Sequence, residues 1–210
     1  MTKFALLFAA SAASITGATA VSAQSASGIV IIDQATAVNN STAMATAIGQ
    51  IKTTYAANIA QVDARAKVLD TELRTKATAF DAARRVPNAN KATLQSQYAA
   101  LQTAQQQAQS ELANLSAPYE KAKEYAVEQI AAHLPTALKA VMAKRSASLV
   151  LAPVQQVVIS YSPSMEATAD LTAELNVEVP TVSIAAPANW QPGQPVPGQT
   201  PAPAASGAGR

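Results

Sequence analysis

The sequence predicts an α+β fold in which a small β-rich body carries a long, protruding antiparallel helical hairpin, a coiled-coil arm. Three observations lead there. Apolar and small residues recur at alternating steps of three and four from Ile48 through Ile51 or Lys52, Tyr55, Ile59, Val62, Ala66, Leu69, Leu73 and Lys76 to Phe80. They recur again from Leu94 through Tyr98, Leu101, Gln105, Ala108, Leu112, Leu115, Tyr119 and Ala122 to Ala126, and a period of about 3.5 held over several heptads marks a coiled coil. Between the two repeats lies Val86-Pro87-Asn88-Ala89-Asn90, where proline cannot continue a helix and either asparagine can cap the next one. Finally, β-branched and apolar runs without helical period flank the pair of repeats.

Taken in order, residues 1–23 have the pattern of a secretory signal peptide. Lys3 supplies the positive end, Phe4-Ala5-Leu6-Leu7-Phe8 begins the apolar stretch, and Val21-Ser22-Ala23 offers small residues for cleavage before Gln24. An uncleaved anchor is the alternative, disfavoured by the Ser, Thr and Gly content of residues 11–19. Residues 24–42 and 146–180 form the expected β-body with a short helix. Its first strand is Ile29-Val30-Ile31-Ile32, ended by Asp33, and Asn39, Asn40, Ser41 and Thr42 precede the arm as cap or turn residues. Residues 43–145 form the arm, with its tip at 86–90. At about 1.5 Å per residue, each side of roughly 40 residues spans about 60 Å. Lys76 and Gln105 interrupt the repeat and many seam positions are Ala, so the outer hairpin should be marginal and flexible. Pro118 and Pro135 should each kink or interrupt the return helix, and Pro118 is a candidate hinge. Two further strands, Ala147-Ser148-Leu149-Val150-Leu151 and Val157-Val158-Ile159-Ser160-Tyr161, are expected as a tight hairpin. A short helix should then start at Ser164 or Met165 and run to Asn176. Residues 181–210 are rich in Pro, Ala and Gly and read as a disordered tail, whose Trp190 could anchor on a partner but as a lone aromatic needs no role.

The charge balance, 15 Lys and Arg against 13 Asp and Glu, leaves no nucleic-acid footprint. Between Asp63 and Lys91, however, seven basic residues face four acidic ones. Arg84, Arg85 and Lys91 therefore make a mildly basic tip, either an ordinary solvated surface or a means of steering acidic partners or anionic lipid headgroups. The absence of cysteine excludes thiolate metal sites and cysteine nucleophiles. Gly28 and Gly49 alone in the expected folded region give no phosphate-cradling loop. His133 stands alone and reads as a helix-surface or seam residue. Glu120, Glu124 and Glu128 repeat at four and read as a solvated stripe. No catalytic set and no metal or cofactor site emerges, which points away from an enzyme. Three short strands are too few to be stable alone, so the strands should pair between subunits.

In this order and spacing the elements resemble the Skp (OmpH-like) family of periplasmic chaperones over residues 28–179. The resemblance is carried by Ile29-Val30-Ile31-Ile32-Asp33, Leu149-Val150-Leu151-Ala152, Val157-Val158-Ile159-Ser160-Tyr161 and Asp170-Leu171-Thr172-Ala173-Glu174-Leu175. The last is similar to the family's D-I-T-x-x-V-L segment. The resemblance implies a homotrimer whose strands (Ile29, Val30, Ile31, Ile32, Leu149, Val150, Leu151, Val157, Val158 and Ile159) join into one barrel. It implies an ATP-independent periplasmic holdase that keeps unfolded outer-membrane β-barrel proteins between its arms. The arms here are richer in Ala and Gln, Pro118 and Pro135 interrupt the return helix, and the Pro-rich tail is extra. A periplasmic coiled-coil spacer or adaptor is the alternative.

Overall fold

The computed structural model describes residues 28–156 and 158–197; the expected signal peptide, Val157 and the end of the expected tail lie outside them. The described residues are mostly helical, with one small two-stranded sheet. Strand β1 (Ile29–Ile31) pairs in parallel with β2 (Leu149–Leu151), placing Ile29 opposite Leu149, Val30 opposite Val150 and Ile31 opposite Leu151. The carbonyl of Gly28 accepts from the backbone N–H groups of Ser148 and Leu149 at 2.8 and 2.7 Å. That closeness is why a glycine stands at 28: a Cβ there would lie 2.6 Å from the Ser148 hydroxyl oxygen.

Asp33 ends β1 and caps helix α1 (Gln34–Asn39), accepting from the Thr36 N–H and hydroxyl at 2.9 and 2.8 Å. Buried Ser41 caps α2 (Thr42–Thr54), accepting from Met44 N–H at 3.2 Å while donating to the Val38 carbonyl at 2.8 Å. The outgoing helix, expected to be single, is divided at Tyr55 from α3 (Ala56–Arg84). The division is slight, because the ladder bonds Tyr55 to Ile51 and Ile59 to Tyr55 run straight through it. The turn that follows has Asn88 in the left-handed region, φ 61°. Asn90 then caps α4 (Lys91–Ala131), accepting from the N–H groups of Ala92 and Thr93. Helix α4 contains Pro118 without ending there. It stops at Ala132, and Pro135 opens α5 (Leu134–Lys144), where the missing N–H is least costly. Of the two prolines, only Pro135 coincides with an interruption.

The core collects one face from nearly every short element. Val30, Ile32, Val38, Met44, Ile130, Val141, Leu171 and Leu175 are buried together with the alanines at 37, 43, 47, 126 and 137. Each large side chain removed from water contributes roughly 1.5–3 kcal/mol. Helix α6 (Thr168–Glu178) closes this core. Its Asn176 accepts from Thr42 N–H at 2.7 Å, Asp170 receives Arg145 and Glu174 receives Lys144 at 3.7 Å.

Several expectations change. Residues 158–161 form no strand, and Ile159 is 94% exposed. The local backbone closes on itself, Val154 N–H on the Ala152 carbonyl and Val158 N–H on the Val154 carbonyl, each at 2.8 Å. The second edge of β1 is taken by Glu166, which bridges to Ile31, with Ala167 N–H on the Ile31 carbonyl at 2.9 Å. The last helix starts later than expected, at Thr168, after a single 3-10 turn Pro163–Met165. The tail also differs. Val182 and Ile184 pack on the core, and Trp190 and Val196 are buried against Tyr125 of α4. A Pro-rich segment has little conformational freedom to lose, so one aromatic anchor goes further in ordering it.

Helices α3 and α4 pack against each other along their length. Arg65 meets Glu111, and Phe80, nearer the turn, meets Tyr98 with ring centroids 5.9 Å apart, so the two helices run antiparallel. Within this pair only Leu69 and Ala108 are fully buried outside the base of α4. Lys76 and Gln105 lie outside the seam; Ala77 and Ala104 are the half-buried residues there.

Candidate functional site

Three surfaces can be considered, each built by a different local arrangement. The first is the turn between α3 and α4. Arg84 ends α3 and pairs with Asp81 one turn earlier at 3.2 Å, Arg85 follows it as the C-cap, and Lys91 opens α4. All three are exposed, and the structure brings them to one end of the helix pair, as the sequence implied. Val86 is exposed between them.

The second is the surface of the helix pair. Because the seam is narrow, Val68 and Tyr98 stay about half exposed. A groove of about 330 Å³ runs past Gln61, Ala64, Val68 and Leu115, bordered by Arg65 and Glu111. Gln97 turns inward, and its Oε1 is buried without a hydrogen-bond partner. An orphaned acceptor of this kind costs about 1–3 kcal/mol when fully buried, so the outer seam is weak for a reason beyond its alanines.

The third is the sheet. Ile29 and Leu149 are direct neighbours in the register yet 37% and 45% exposed. The adjoining strand residues Val30, Ile31 and Ile32 are buried, and Val150 and Leu151 half-buried. Of the strand residues singled out in the sequence, Val158 and Ile159 lie apart from the sheet.

A cleft of about 580 Å³ lies beside the sheet, where Asp33, Thr36, Asn40, Tyr161, Glu166 and Thr168 share the lining with Pro153 and Ala169. The Asp33 carboxyl is held below its ordinary value by the Thr36 N–H and hydroxyl. Burial pushes Glu166 up, but hydrogen bonds from Thr168, Tyr161 and the Ala167 N–H outweigh it and leave the group below its ordinary value. The Tyr161 hydroxyl donates to Glu166 Oε2 at 2.9 Å, and that bond raises the phenol's pKa. Two carboxylates kept ionised by the protein's own donors are the reverse of what a general acid at neutral pH requires. Among the described residues no group of three His, Cys, Asp or Glu could hold a metal ion, and no helix is long and apolar enough to cross a membrane. His133 sits at the α4–α5 junction, its carbonyl accepting from Thr136 and Ala137 N–H.

Sequence reasoning missed Lys121, Tyr125 and Gln129, which recur every four residues on α4 and meet the C-terminal segment. Gln129 bonds Ser183, Tyr125 packs on Trp190, and Lys121 donates to the Ala188 carbonyl. Their spacing was legible, but nothing in their types announced a partner.

Comparison with known proteins gives one family. A family model described as outer membrane protein (OmpH-like) matches residues 28–175. A crystal structure of a candidate outer membrane chaperone (OmpH-like) from Caulobacter crescentus CB15 is 24% identical. It covers 75% of this chain and 88% of that one, with a TM-score of 0.43, too low to argue a shared arrangement of elements. No curated protein matches.

Proposed function

This chain belongs to the OmpH-like outer membrane protein family, and from that premise we propose that it is an ATP-independent holdase chaperone of the periplasm. Its clients are unfolded outer-membrane β-barrel proteins, and it holds them in the space between the arms of a homotrimer. The observation that carries this reading is the α3–α4 pair: two long helices that bury little between them and leave Val68 and Tyr98 exposed along their length and Val86 exposed in the turn. Such a surface is poor at making a core and suited to many separate weak contacts. Burying one such side chain fully yields only about 1.5–3 kcal/mol, so retention comes from several contacts made at once. Release then needs no nucleotide. Arg84, Arg85 and Lys91 steer acidic clients to the open end, with anionic lipid headgroups as a secondary target.

In this reading residues 24–42 and 146–180 are the trimerisation body and residues 43–145 the arm, with the signal peptide at 1–23 directing export. The exposed Ile29–Leu149 pair supports the trimer, because two three-residue strands with an apolar face in water are not stable as a free sheet.

The test is a holdase assay with mass measured in the same samples. An unfolded outer-membrane β-barrel protein is diluted from urea, and its aggregation is followed by light scattering. Suppression at about one trimer per client without nucleotide is the expected result. A stable trimer that leaves aggregation untouched would replace the holdase with a spacer or adaptor role.

A further inference from the structure

We propose that the base of α4 carries a polypeptide-binding site, filled in the resting protein by the chain's own residues 182–196, and that an unfolded client segment bearing an aromatic side chain displaces them. The inference rests on the holdase reading and extends it to a particular site. Lys121, Tyr125 and Gln129 lie on one stripe of α4, two successive helical turns. The Gln129 amide takes Ser183 from both sides, its Nε2 donating to the Ser183 carbonyl at 2.7 Å and its Oε1 accepting the Ser183 N–H at 3.0 Å. Lys121 Nζ donates to the Ala188 carbonyl at 3.0 Å. These hydrogen bonds from α4 all end on backbone atoms, which every polypeptide offers in the same form. Between them, Tyr125 receives Trp190 edge-on, with centroids 5.0 Å apart and planes at 67°, and Trp190 is left only 3% exposed.

The polar side chains of the segment are turned on itself. Trp190 Nε1 donates to the Gln194 carbonyl, and Gln194 Oε1 accepts from Gln191 N–H. Recognition by α4 is therefore of backbone groups plus one aromatic ring, in a segment that turns on either side of Trp190. The cover is also separable. Trp190, Val196 and Tyr125 form a cluster apart from the main core, on which the half-buried Val182 and Ile184 of the segment pack, so the segment leaves at the loss of those two contacts and not of the core itself.

Trp190 is the only tryptophan in the chain, which makes it a direct reporter. The full mature protein is mixed with a Trp-free variant of an unfolded outer-membrane β-barrel protein, complex formation is read by size, and tryptophan emission is recorded. The expected result is a red shift that saturates with complex formation, together with client binding several-fold tighter in Trp190→Ala. A complex that leaves the emission unchanged overturns the displaceable cover while leaving the holdase intact. Weaker client binding by Trp190→Ala overturns it too, since the segment would then be part of the binding surface. No complex at all overturns both readings.

Discussion

Arg65 of α3 grips Glu111 of α4 with two parallel hydrogen bonds, Nε to Oε1 and Nη2 to Oε2, the second at 3.0 Å. The pair sets the register of the two helices one turn from Leu69 and Ala108, the buried residues of an otherwise thin seam. Arg65 also reaches Glu72 at 3.5 Å, one face along its own helix.

The hydrogen bonds from Arg65 hold the Glu111 carboxyl below its ordinary value of 4.5. A lowered carboxyl contributes stability that is complete above its unfolded pKa and is lost as pH falls through the folded one. Glu111→Gln should therefore loosen the α3–α4 pair near neutral pH, and its difference from the wild type should shrink as pH falls below 4.5 and through the lower folded value. Amide hydrogen exchange around residues 65 and 111 measures this. A difference that stays constant across the acid range would assign the effect to packing instead.

Gln97 gives a prediction of opposite sign. Its Oε1 is buried and unpartnered, so Gln97→Met keeps the volume and removes the orphan. Stabilisation of about 1 kcal/mol is expected, the low end for relieving such a group because the residue itself is only half-buried. Chemical denaturation gives the magnitude, and a loss of stability would mean that the acceptor is satisfied in solution.

These two sites show what could be read from the sequence and what could not. The helix pair and its turn were legible, because Pro87 and Asn90 act locally and the repeat is long. The inner seam was less so. A heptad repeat drifts about 20° per seven residues on a straight helix, so Lys76 and Gln105 moved outside while Ala77, Gln97 and Ala104 moved in. Parallel pairing of Ile29 with Leu149 crosses 120 residues of sequence, and no local pattern chooses between that and a hairpin with residues 157–159. The site at Gln129 was hidden because a Pro-rich partner carries the composition of disorder.

The exposed neighbours Ile29 and Leu149 are proposed as subunit contacts. Ile29→Lys together with Leu149→Lys would place two like charges side by side on that face, which is destabilising across strands and more so in an interface. Sedimentation or native mass should report monomers with the helical content retained. A trimer that survives the double substitution would move the interface elsewhere.

At the turn, Arg84→Glu, Arg85→Glu and Lys91→Glu together invert an exposed basic end. Capture of an acidic client should slow several-fold at low salt and converge with the wild type as salt is raised, because steering is screened over about 10 Å at 0.1 M. Stopped-flow mixing measures both. Equal rates at every ionic strength would remove the steering role.

Pro118 lies inside α4, where it leaves the Asn114 carbonyl without the N–H that any other residue would supply. Two residues earlier, the Ser116 hydroxyl donates to the Ala113 carbonyl at 3.1 Å, a competing bond that tends to bend helices. The exposed proline therefore marks the weakest point of the longest helix, between the seam and the packed base around Ala122 and Ala126. Pro118→Ala restores the ladder and should stabilise α4 by up to about 3 kcal/mol. If this point is the hinge by which the arms spread around clients of different size, the same change must narrow the distances between arm tips. The chain has no cysteine, so a single Ala89→Cys substitution in the turn allows clean spin labelling of every subunit. Pulsed electron resonance on the wild-type and Pro118→Ala backgrounds should then show a broad and a narrow distribution. Equal widths, alongside the expected gain in stability, would make Pro118 a tolerated defect and leave the arms to flex through their thin seam alone.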